Sequence, residues 1–319
     1  MHVIGLDLGT THVTGVLVDT ARRQVVRHAQ RPNDAATKPI LPTRAEQDPH
    51  RLRVLALEIL SKLAGDGTHI DAIALTGQMH GVLCVDAGGE PVTPLISWQD
   101  KRTSEGQSGS PPFLERLFER LRGLDPRSPG QSWHENGCRI DHGYGAATIF
   151  WLVEQRELPV TTQRVCTLPG WMAAQLSGTL PATDPTLAAS WGVYSLPGVG
   201  WNAAFLDALG LEPSFMPPVR PSGEPLGGLE PELARRVGLP AGVPILNAVG
   251  DTQAAFLGSV ADPDHELLFN LGTGGQICCM LPEFTPPTQA VEIRPLPGGR
   301  YLRVGASLCG GAAYAWLNH

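Results

Sequence analysis

The chain has 319 residues, a mass of 34.0 kDa and a net charge of −7 at pH 7. Its 42% hydrophobic and 17% charged residues exclude a wholly disordered chain, and the acidic balance argues against nucleic acid as a partner. No apolar run reaches the roughly 18 residues of a membrane span, so we expect no membrane partner and a soluble, cytoplasmic protein. None of the three lysines follows a glycine-rich loop, which excludes a P-loop. The six cysteines lack C-x-x-C spacing and favour buried free thiols over a zinc or redox site.

The first quarter of the chain predicts three strands, a helix and a fourth strand. The strands are expected at His2–Leu8, His12–Asp19, 24–31 and 70–75, with a tight hairpin turn after the first. A helix is expected to begin at Asp48, because aspartate caps free amides and the following proline is tolerated in a first turn. This β-β-β-α-β order indicates a mixed sheet and differs from the parallel dinucleotide-binding fold, which begins β-α-β.

The rest of the chain predicts a second lobe. Residues 105–143 form a weakly patterned excursion, and helices are expected at 146–155 and 171–176. The proline- and glycine-dense stretch 213–244 indicates a boundary, so we predict an N-terminal lobe at 1–242 and the start of a C-terminal lobe at 243–319. Strands are expected at 243–249, 267–271 and 276–280. The Leu-Gly-Thr turn at 8–10 recurs at 271–273, which suggests a duplicated hairpin or a coincidence in about equal measure.

The first hairpin carries residues suited to phosphate binding. Glycine lets an anion approach the backbone, Thr10 and Thr11 can donate hydroxyl protons, and Asp7 could hold Mg²⁺. The alternative is an ordinary hairpin in which Asp7 satisfies local amides. The second hairpin, with Gly272, Thr273 and Gly274, strengthens the phosphate interpretation, because two facing hairpins can clasp the phosphates of ATP.

Two other constellations suggest a phosphoryl-transfer site next to a sugar. Asp251 follows a predicted strand and could accept the proton of an attacking hydroxyl, although by itself it is better explained as a helix N-cap. Gln78 and His80 lie near Trp98 in sequence, and polar groups beside an indole suit a sugar. The alternative is that His80 is an internally satisfied histidine and Trp98 a core residue.

Taken together, these motifs resemble the FGGY carbohydrate kinases. The resemblance is carried by I-G-L-D-L-G-T-T at 4–11, T-G-Q-M-H-G at 76–81, S-W-Q-D-K-R at 97–102, G-D at 250–251 and L-G-T-G at 271–274. The G-Q-M-H-G stretch is similar to the ketose kinases of this family. The stretches at 143–152, 188–192, 250–254 and 305–311 are more similar to those that act on sedoheptulose than to those that act on D-xylulose.

The resemblance implies an α/β fold of the actin-like (ribonuclease H-like) ATPase type, two lobes with mixed sheets and a sugar in the cleft between them. It implies transfer of the γ-phosphate of ATP to the primary hydroxyl of a ketose. In this reaction Asp7 would hold or orient Mg²⁺, and Asp251 would be the general base. The phosphates would contact the two hairpins, and a homodimer is compatible with the family. The sugar would be surrounded by Gln78, Met79, His80, Trp98 and Asp251.

Two departures from the family pattern carry expectations of their own. Gly274 stands where many members have serine. The sequence ends at His319, so we expect an incomplete second lobe that lacks the adenosine-binding segment. The 319 residues alone are then expected to have negligible kinase activity, weak ATP affinity and a tendency to aggregate. The alternative from another functional class is a catalytically silent sugar-binding protein.

Overall fold

The first sheet contains the hairpins predicted at the N-terminus. The computed structural model describes residues 1–106, 109–122, 124, 136–271, 275–288 and 291–307. The strands of this sheet are β1 (His2–Leu8), β2 (His12–Asp19), β3 (Gln24–Pro32), β5 (Ala72–Gly77), β11 (Pro225–Gly228), β12 (Pro244–Leu246) and β13 (Val249–Gly250). Their order is β11-β12-β5-β1-β2-β3, with β13 also paired to β5. Strands β1, β2 and β3 pair antiparallel while β5 is parallel to β1, so the expected mixed sheet is confirmed.

Helix α1 (Pro49–Ala64) covers one face of this sheet, as the apolar spacing predicts. The Asp48 side chain accepts a hydrogen bond from the His50 amide at 2.8 Å and caps the helix. The buried stripe of α1 packs against β1, β2 and β3. The stripe also explains Gly15 of β2, since a Cβ there would lie 2.4 Å from Ile59.

The chain also forms short strands and helices outside the two large sheets. The strands are β4 (Glu46–Gln47), β6 (Leu83–Val85), β7 (Leu95–Ile96), β8 (Arg164–Cys166), β9 (Tyr194–Ser195) and β10 (Gly200–Trp201). The helices are α2 (Phe113–Arg122), α3 (Gly145–Glu154), α4 (Leu168–Ser177), α5 (Pro185–Ala189) and α6 (Ala203–Ala208). Helices α3 and α4 confirm the predictions at 146–155 and 171–176. Helix α2 lies in the excursion that was expected to be irregular, although its F-L-E-R-L-F-E-R-L-R sequence has helical apolar spacing.

The strand expected at 243–249 belongs to the first sheet, whereas the predicted lobe boundary placed it in the second. Helix α7 (Pro231–Val237) is confirmed, and after it β12 and β13 both pair parallel to β5. Helix α8 (Asp251–Ser259) follows directly, and its Phe256 packs into the core of the second sheet. Proline and glycine at 213–244 therefore mark turns around the edge strand β11, and the chain passes from the first sheet to the second at α8.

The second sheet has the order β14-β15-β17-β16. Its strands are β14 (Leu268–Leu271), β15 (Gly275–Leu281), β16 (Glu292–Leu296) and β17 (Arg300–Ser307). Strands β14 and β15 pair antiparallel, with Leu271 opposite Gly275, so the second hairpin is present in the described strands. Leu267 and Phe269 are 54% and 63% exposed. Within the described ranges, no helix has the length and apolarity needed to cross a membrane.

Candidate active site

Two carboxylates lie at one edge of the first sheet. Asp7, near the end of β1, is paired with Thr76 of β5, and Val249 of β13 is paired with the same Thr76 on the other side. Asp251 follows two residues later as the first residue of α8. Because β1, β5 and β13 are parallel, they end at the same edge, which is where open α/β sheets place reactive groups. Burial, and then the negative charge of Asp251, raise the pKa of Asp7 to about 6.

Asp7 has an oxygen that lacks a partner among the described residues. Its Oδ1 is buried and receives no hydrogen bond, which is costly for a carboxylate unless a cation or a water fills the position. In the described part of the chain, no group of three or more His, Cys, Asp or Glu is arranged to hold a metal. A Mg²⁺ ion at Asp7 would therefore take its remaining ligands from phosphate and water, as this ion usually does. The chemistry of the site fits Mg²⁺.

Asp251 occupies the first turn of α8 without acting as its cap. The N-cap residue is Gly250, which makes no side-chain hydrogen bond. The Asp251 Oδ1 atom accepts the Thr252 amide at 2.7 Å and the Thr252 hydroxyl at 3.3 Å. Desolvation by the surrounding groups raises the pKa of Asp251 although the residue is exposed, while these hydrogen bonds and the charge of Arg294 oppose the shift. The side chain keeps contact with solvent, so its carboxylate is available to a ligand.

The first hairpin is joined to the predicted sugar side by one hydrogen bond. The Trp98 indole nitrogen donates to Thr10 Oγ1 at 2.9 Å, and Thr11 is exposed beside it. The turn requires glycine at position 9, since a Cβ there would lie 2.7 Å from the His12 carbonyl oxygen. The Trp98 ring is 43% exposed, which excludes the core interpretation of this residue. Gly272, Thr273 and Gly274 lie outside the described residues.

Hydrogen bonds to Ser190 fix the orientation and the tautomer of the neutral His80 ring. Its backbone is left-handed (φ 71°), its amide donates to Ser190 Oγ at 3.1 Å, and its Nδ1 lies 2.8 Å from the Ser190 carbonyl oxygen. A carbonyl can only accept, so Nδ1 carries the proton and Nε2 is the acceptor. Burial, and then the positive charge of Arg294, lower the pKa of His80 to about 4. The ring therefore stays neutral at physiological pH.

Gln78 and Met79 lie beneath the site and support it. Gln78 is buried and donates from Nε2 to Gln47 Oε1 at 3.0 Å, while its own Oε1 has no partner among the described residues. Met79 packs against Gly250, where an added Cβ would lie 2.7 Å from the Met79 sulfur. Trp98 and Asp251 are thus exposed and His80 is half-buried, whereas Gln78 and Met79 are buried.

Tyr144 lies next to His80, within the stretch 143–152 whose sequence resembles the FGGY kinases. Its ring stacks on the His80 imidazole with centroids 4.0 Å apart. The preceding Gly143 has φ 78°, and a Cβ there would lie 2.0 Å from the Trp98 carbonyl oxygen. This close approach fixes Tyr144 next to Trp98. Stacked and exposed aromatic rings beside hydrogen-bonding groups form a surface suited to a sugar.

Charged residues of β16 close the other side of the site. Glu292 Oε2 accepts from Arg294 at 2.8 and 3.1 Å, and Glu292 Oε1 accepts from Arg139 at 3.2 Å. Burial works against ionisation of Glu292, but the two arginines outweigh it and lower its pKa. A small cavity lies between His80, Tyr144 and these residues. Nothing local in the sequence marks Arg294, because its role depends on the pairing of distant strands.

A comparison with known families identifies the chain. A sequence model of the N-terminal domain of the FGGY family of carbohydrate kinases matches residues 2–258. The chain belongs to this family. It is 31% identical over 286 residues to a glycerol kinase of Thermus brockianus, covering 86% of this chain and 53% of that protein. It is 28% identical to the sedoheptulokinase of Mus musculus, covering 99% of this chain and 68% of that protein.

Solved structures of FGGY kinases share the fold. The ligand-bound xylulose kinase of Lactobacillus acidophilus superposes with a TM-score of 0.83 at 22% identity, covering 99% of this chain and 61% of that chain. The glycerol kinase of Plasmodium falciparum with ADP superposes with a TM-score of 0.81 at 17% identity. The expected α/β, actin-like fold is confirmed. The FGGY chain described here spans about half to two thirds of the lengths of these relatives.

Proposed function

We propose that the protein is an ATP-dependent kinase that phosphorylates the terminal primary hydroxyl of a ketose, with sedoheptulose preferred. The observation that carries the proposal is the convergence of Asp7, Asp251 and the first hairpin at one sheet edge, next to His80 and Trp98. Membership of the FGGY family supports the same reaction class. We further propose that the two lobes meet at α8.

Asp251 is the general base of the proposed reaction. The ketose hydroxyl oxygen attacks the γ-phosphorus, the bond to the β-phosphate oxygen breaks, ADP leaves, and the hydroxyl proton passes to the Asp251 carboxylate. The raised pKa of Asp251 supports this role, since a base is most effective when its pKa approaches the working pH. Thr252 holds one oxygen, which leaves the other to face the hydroxyl.

Asp7 and the hairpins form the phosphate end of the proposed site. Asp7 would hold Mg²⁺ directly or through water, and the bound ion would neutralise charge on the phosphate oxygens. Thr10 and Thr11 would donate to phosphate, with Gly272, Thr273 and Gly274 contributing from the second hairpin. The hydrogen bond from the Trp98 indole nitrogen orients the Thr10 hydroxyl. It thereby connects the phosphate end of the proposed site to its sugar end.

His80, Tyr144 and Trp98 form the sugar end. The neutral His80 presents Nε2 as an acceptor for a sugar hydroxyl, and the Trp98 face is available for C–H contacts. Gln78 and Met79 support this surface from below. The resemblances at 143–152 and 188–192 favour the seven-carbon ketose, and the sedoheptulokinase relative is in agreement with that preference. The xylulose kinases among the relatives make D-xylulose the second candidate.

The experiment measures ADP release with ATP, Mg²⁺ and each of sedoheptulose, D-xylulose, glycerol and gluconate. The protein is expressed as the whole reading frame that contains this sequence. We expect the highest kcat/KM for sedoheptulose and a loss in kcat of about 10²- to 10⁴-fold in Asp251→Asn, with a much smaller change in sugar affinity. The matched control is Asp207→Asn, which changes an exposed aspartate of α6.

Three results would contradict parts of the proposal. A clear preference for D-xylulose would overturn the substrate assignment and leave the reaction class intact. Near-normal kcat in Asp251→Asn would remove this residue from the chemistry. Sugar binding by calorimetry without turnover in the whole reading frame would support the alternative of a silent sugar-binding protein.

A further inference from the structure

We propose that Arg294 is a positioning residue for the Asp251 carboxylate and acts through the hydroxyl group of Thr252. This inference rests on the proposed function, in which Asp251 is the base. It gives a role to Arg294, a charged residue of the second sheet that takes no part in the proposed phosphate or sugar contacts.

The three residues form a directional hydrogen-bond chain. Arg294 Nη1 lies 3.2 Å from Thr252 Oγ1, and Thr252 Oγ1 lies 3.3 Å from Asp251 Oδ1. A guanidinium can only donate, so it occupies a lone pair of the hydroxyl and directs the hydroxyl proton to the carboxylate. The Thr252 amide donates to the same oxygen at 2.7 Å. Two donors thereby hold Asp251 Oδ1, and this fixes the direction of the other carboxylate oxygen, Oδ2.

The guanidinium is itself held in place. Glu292 Oε2 accepts hydrogen bonds from both Nε and Nη2 of Arg294. The remaining nitrogen, Nη1, is then free to donate to Thr252. Arg139 contacts the other oxygen of Glu292 at 3.2 Å. The side chains of Arg294 and Glu292 are largely buried, so little rotamer freedom remains. A planar, pre-oriented donor of this kind is what positioning a carboxylate requires.

Asp251 lies where the chain passes between the two sheets. On one side, the Gly250 amide donates to Thr186 Oγ1 at 2.8 Å, and Gly250 pairs with β5 of the first sheet. On the other side, Gln253 Nε2 donates to the Pro295 carbonyl oxygen of β16 at 3.1 Å. The backbone of Asp251 is therefore anchored by both sheets. The hydrogen bonds from Arg294 through Thr252 fix the position of the carboxylate relative to the second sheet.

The test compares variants that remove one link at a time. Thr252→Val keeps the shape of the side chain and removes the hydroxyl, while Thr252→Ser keeps the hydroxyl. Arg294→Gln removes the charge and the pre-oriented fork. The control is Arg303→Gln, which changes an exposed arginine on the neighbouring strand β17. The kcat and the KM for sedoheptulose are measured in the whole reading frame.

We expect Thr252→Val and Arg294→Gln each to lower kcat about 10- to 100-fold, the usual range for a lost hydrogen bond to a charged group. The KM should stay within about threefold, Thr252→Ser should restore most of the rate, and Arg303→Gln should be normal. Because both residues act through one hydroxyl, the double variant should lose no more than the worse single variant. A normal kcat in Thr252→Val, or losses that multiply in the double variant, would overturn the proposal. A rise in KM confined to Arg294→Gln would also overturn it, since that result indicates a direct sugar contact.

A structural measurement separates this inference from the proposed function. Crystal structures of the 319-residue chain should show the Asp251 carboxylate rotated away from its position in Thr252→Val and Arg294→Gln, and unmoved in Arg303→Gln. An unmoved carboxylate in the first two variants would refute the positioning role. A normal kcat in Asp251→Asn would instead refute the general-base assignment, whatever these structures show.

Discussion

Gly143 offers a sharp test of how the backbone builds the proposed sugar-binding surface. Its φ of 78° lies in the left-handed region, and a Cβ at this position would lie 2.0 Å from the Trp98 carbonyl oxygen and 2.8 Å from the carbonyl carbon. An ordinary contact between these atoms is more than 1 Å longer, and the obstacle is backbone that no rotamer change can clear. Gly143→Ala must therefore shift the backbone of Trp98 or of Tyr144.

Two costs contribute to the effect of Gly143→Ala, and a second glycine separates them. Placing alanine in the left-handed region costs about 1–2 kcal/mol. Gly242 has nearly the same backbone angle (φ 79°), but a Cβ there would meet nothing within 4 Å. We expect Gly242→Ala to lose about 1–2 kcal/mol of unfolding free energy. Gly143→Ala should lose about 2–5 kcal/mol, because overpacking of a buried site adds about 1–3 kcal/mol to the backbone cost.

The assay for this pair combines urea unfolding with calorimetric titration of sedoheptulose. A shift of about 1 Å in a site residue can cost about 100-fold in function, so sugar affinity should fall strongly in Gly143→Ala and stay unchanged in Gly242→Ala. Equal unfolding free energies for the two variants, with unchanged sugar affinity, would refute the reasoning that this close approach shapes the site.

Further predictions concern a buried carboxylate and an exposed apolar pair. Asp184 is fully buried and accepts from Thr186 Oγ1 at 2.8 Å, the Leu187 amide at 2.9 Å and Ser222 Oγ at 2.5 Å. We expect Asp184→Asn to lose about 2–4 kcal/mol in urea unfolding, because the amide nitrogen that replaces one carboxylate oxygen cannot accept from the donors that face it, whereas Asp207→Asn should stay within about 0.5 kcal/mol. Phe269 and Ile277 face each other across β14 and β15 with 63% and 38% exposure. Replacing both with threonine should reduce light scattering of the 319-residue chain on warming; unchanged scattering would show that this surface does not drive association.

The elements predicted well are those with a local signal. The hairpin of β1 and β2 follows from alternating apolar residues around a glycine turn, and α1 follows from helical spacing after Asp48. The predicted lobe boundary at residue 243 rests on the density of proline and glycine. This density indicates turns, but it does not indicate which sheet a strand joins. Strand β12 joins the first sheet because of its pairing with β5, and that contact is not encoded in neighbouring residues.

The candidate site shows the same division. Asp7, Trp98 and His80 each lie in a distinctive motif. The Trp98 indole donates to Thr10 in the turn after Asp7, and its carbonyl closely approaches Gly143, whose neighbour Tyr144 stacks on His80. Arg294 lacked such a motif, since its position beside Thr252 depends on the packing of β16 against α8. Gln78 shares a motif with His80, but it lies just past the end of β5 with its side chain buried against Gln47, and the left-handed backbone at His80 turns the chain there. Proximity in sequence therefore indicates a candidate site but cannot separate its exposed residues from its buried ones.

The pH dependence of stability tests the electrostatics of the sheet edge without relying on catalysis. The pKa of Asp7 rises from 3.8 to about 6 in the folded protein, first by burial and then by the charge of Asp251. Above pH 6 the carboxyl is ionised in both states, and the folded state carries the full penalty of about two pKa units, at most about 3 kcal/mol. As the pH falls from 6 towards 4, the folded protein takes up a proton before the unfolded chain does, and the penalty disappears. Asp7→Asn should therefore be more stable than the unmodified protein at pH 8, and the difference should vanish near pH 4. Millimolar Mg²⁺ at pH 8 should stabilise the unmodified protein and leave Asp7→Asn unaffected. A difference in calorimetric unfolding that does not change with pH, or a less stable Asp7→Asn at pH 8, would mean that the folded protein stabilises the ionised Asp7 carboxylate and would refute this electrostatic explanation.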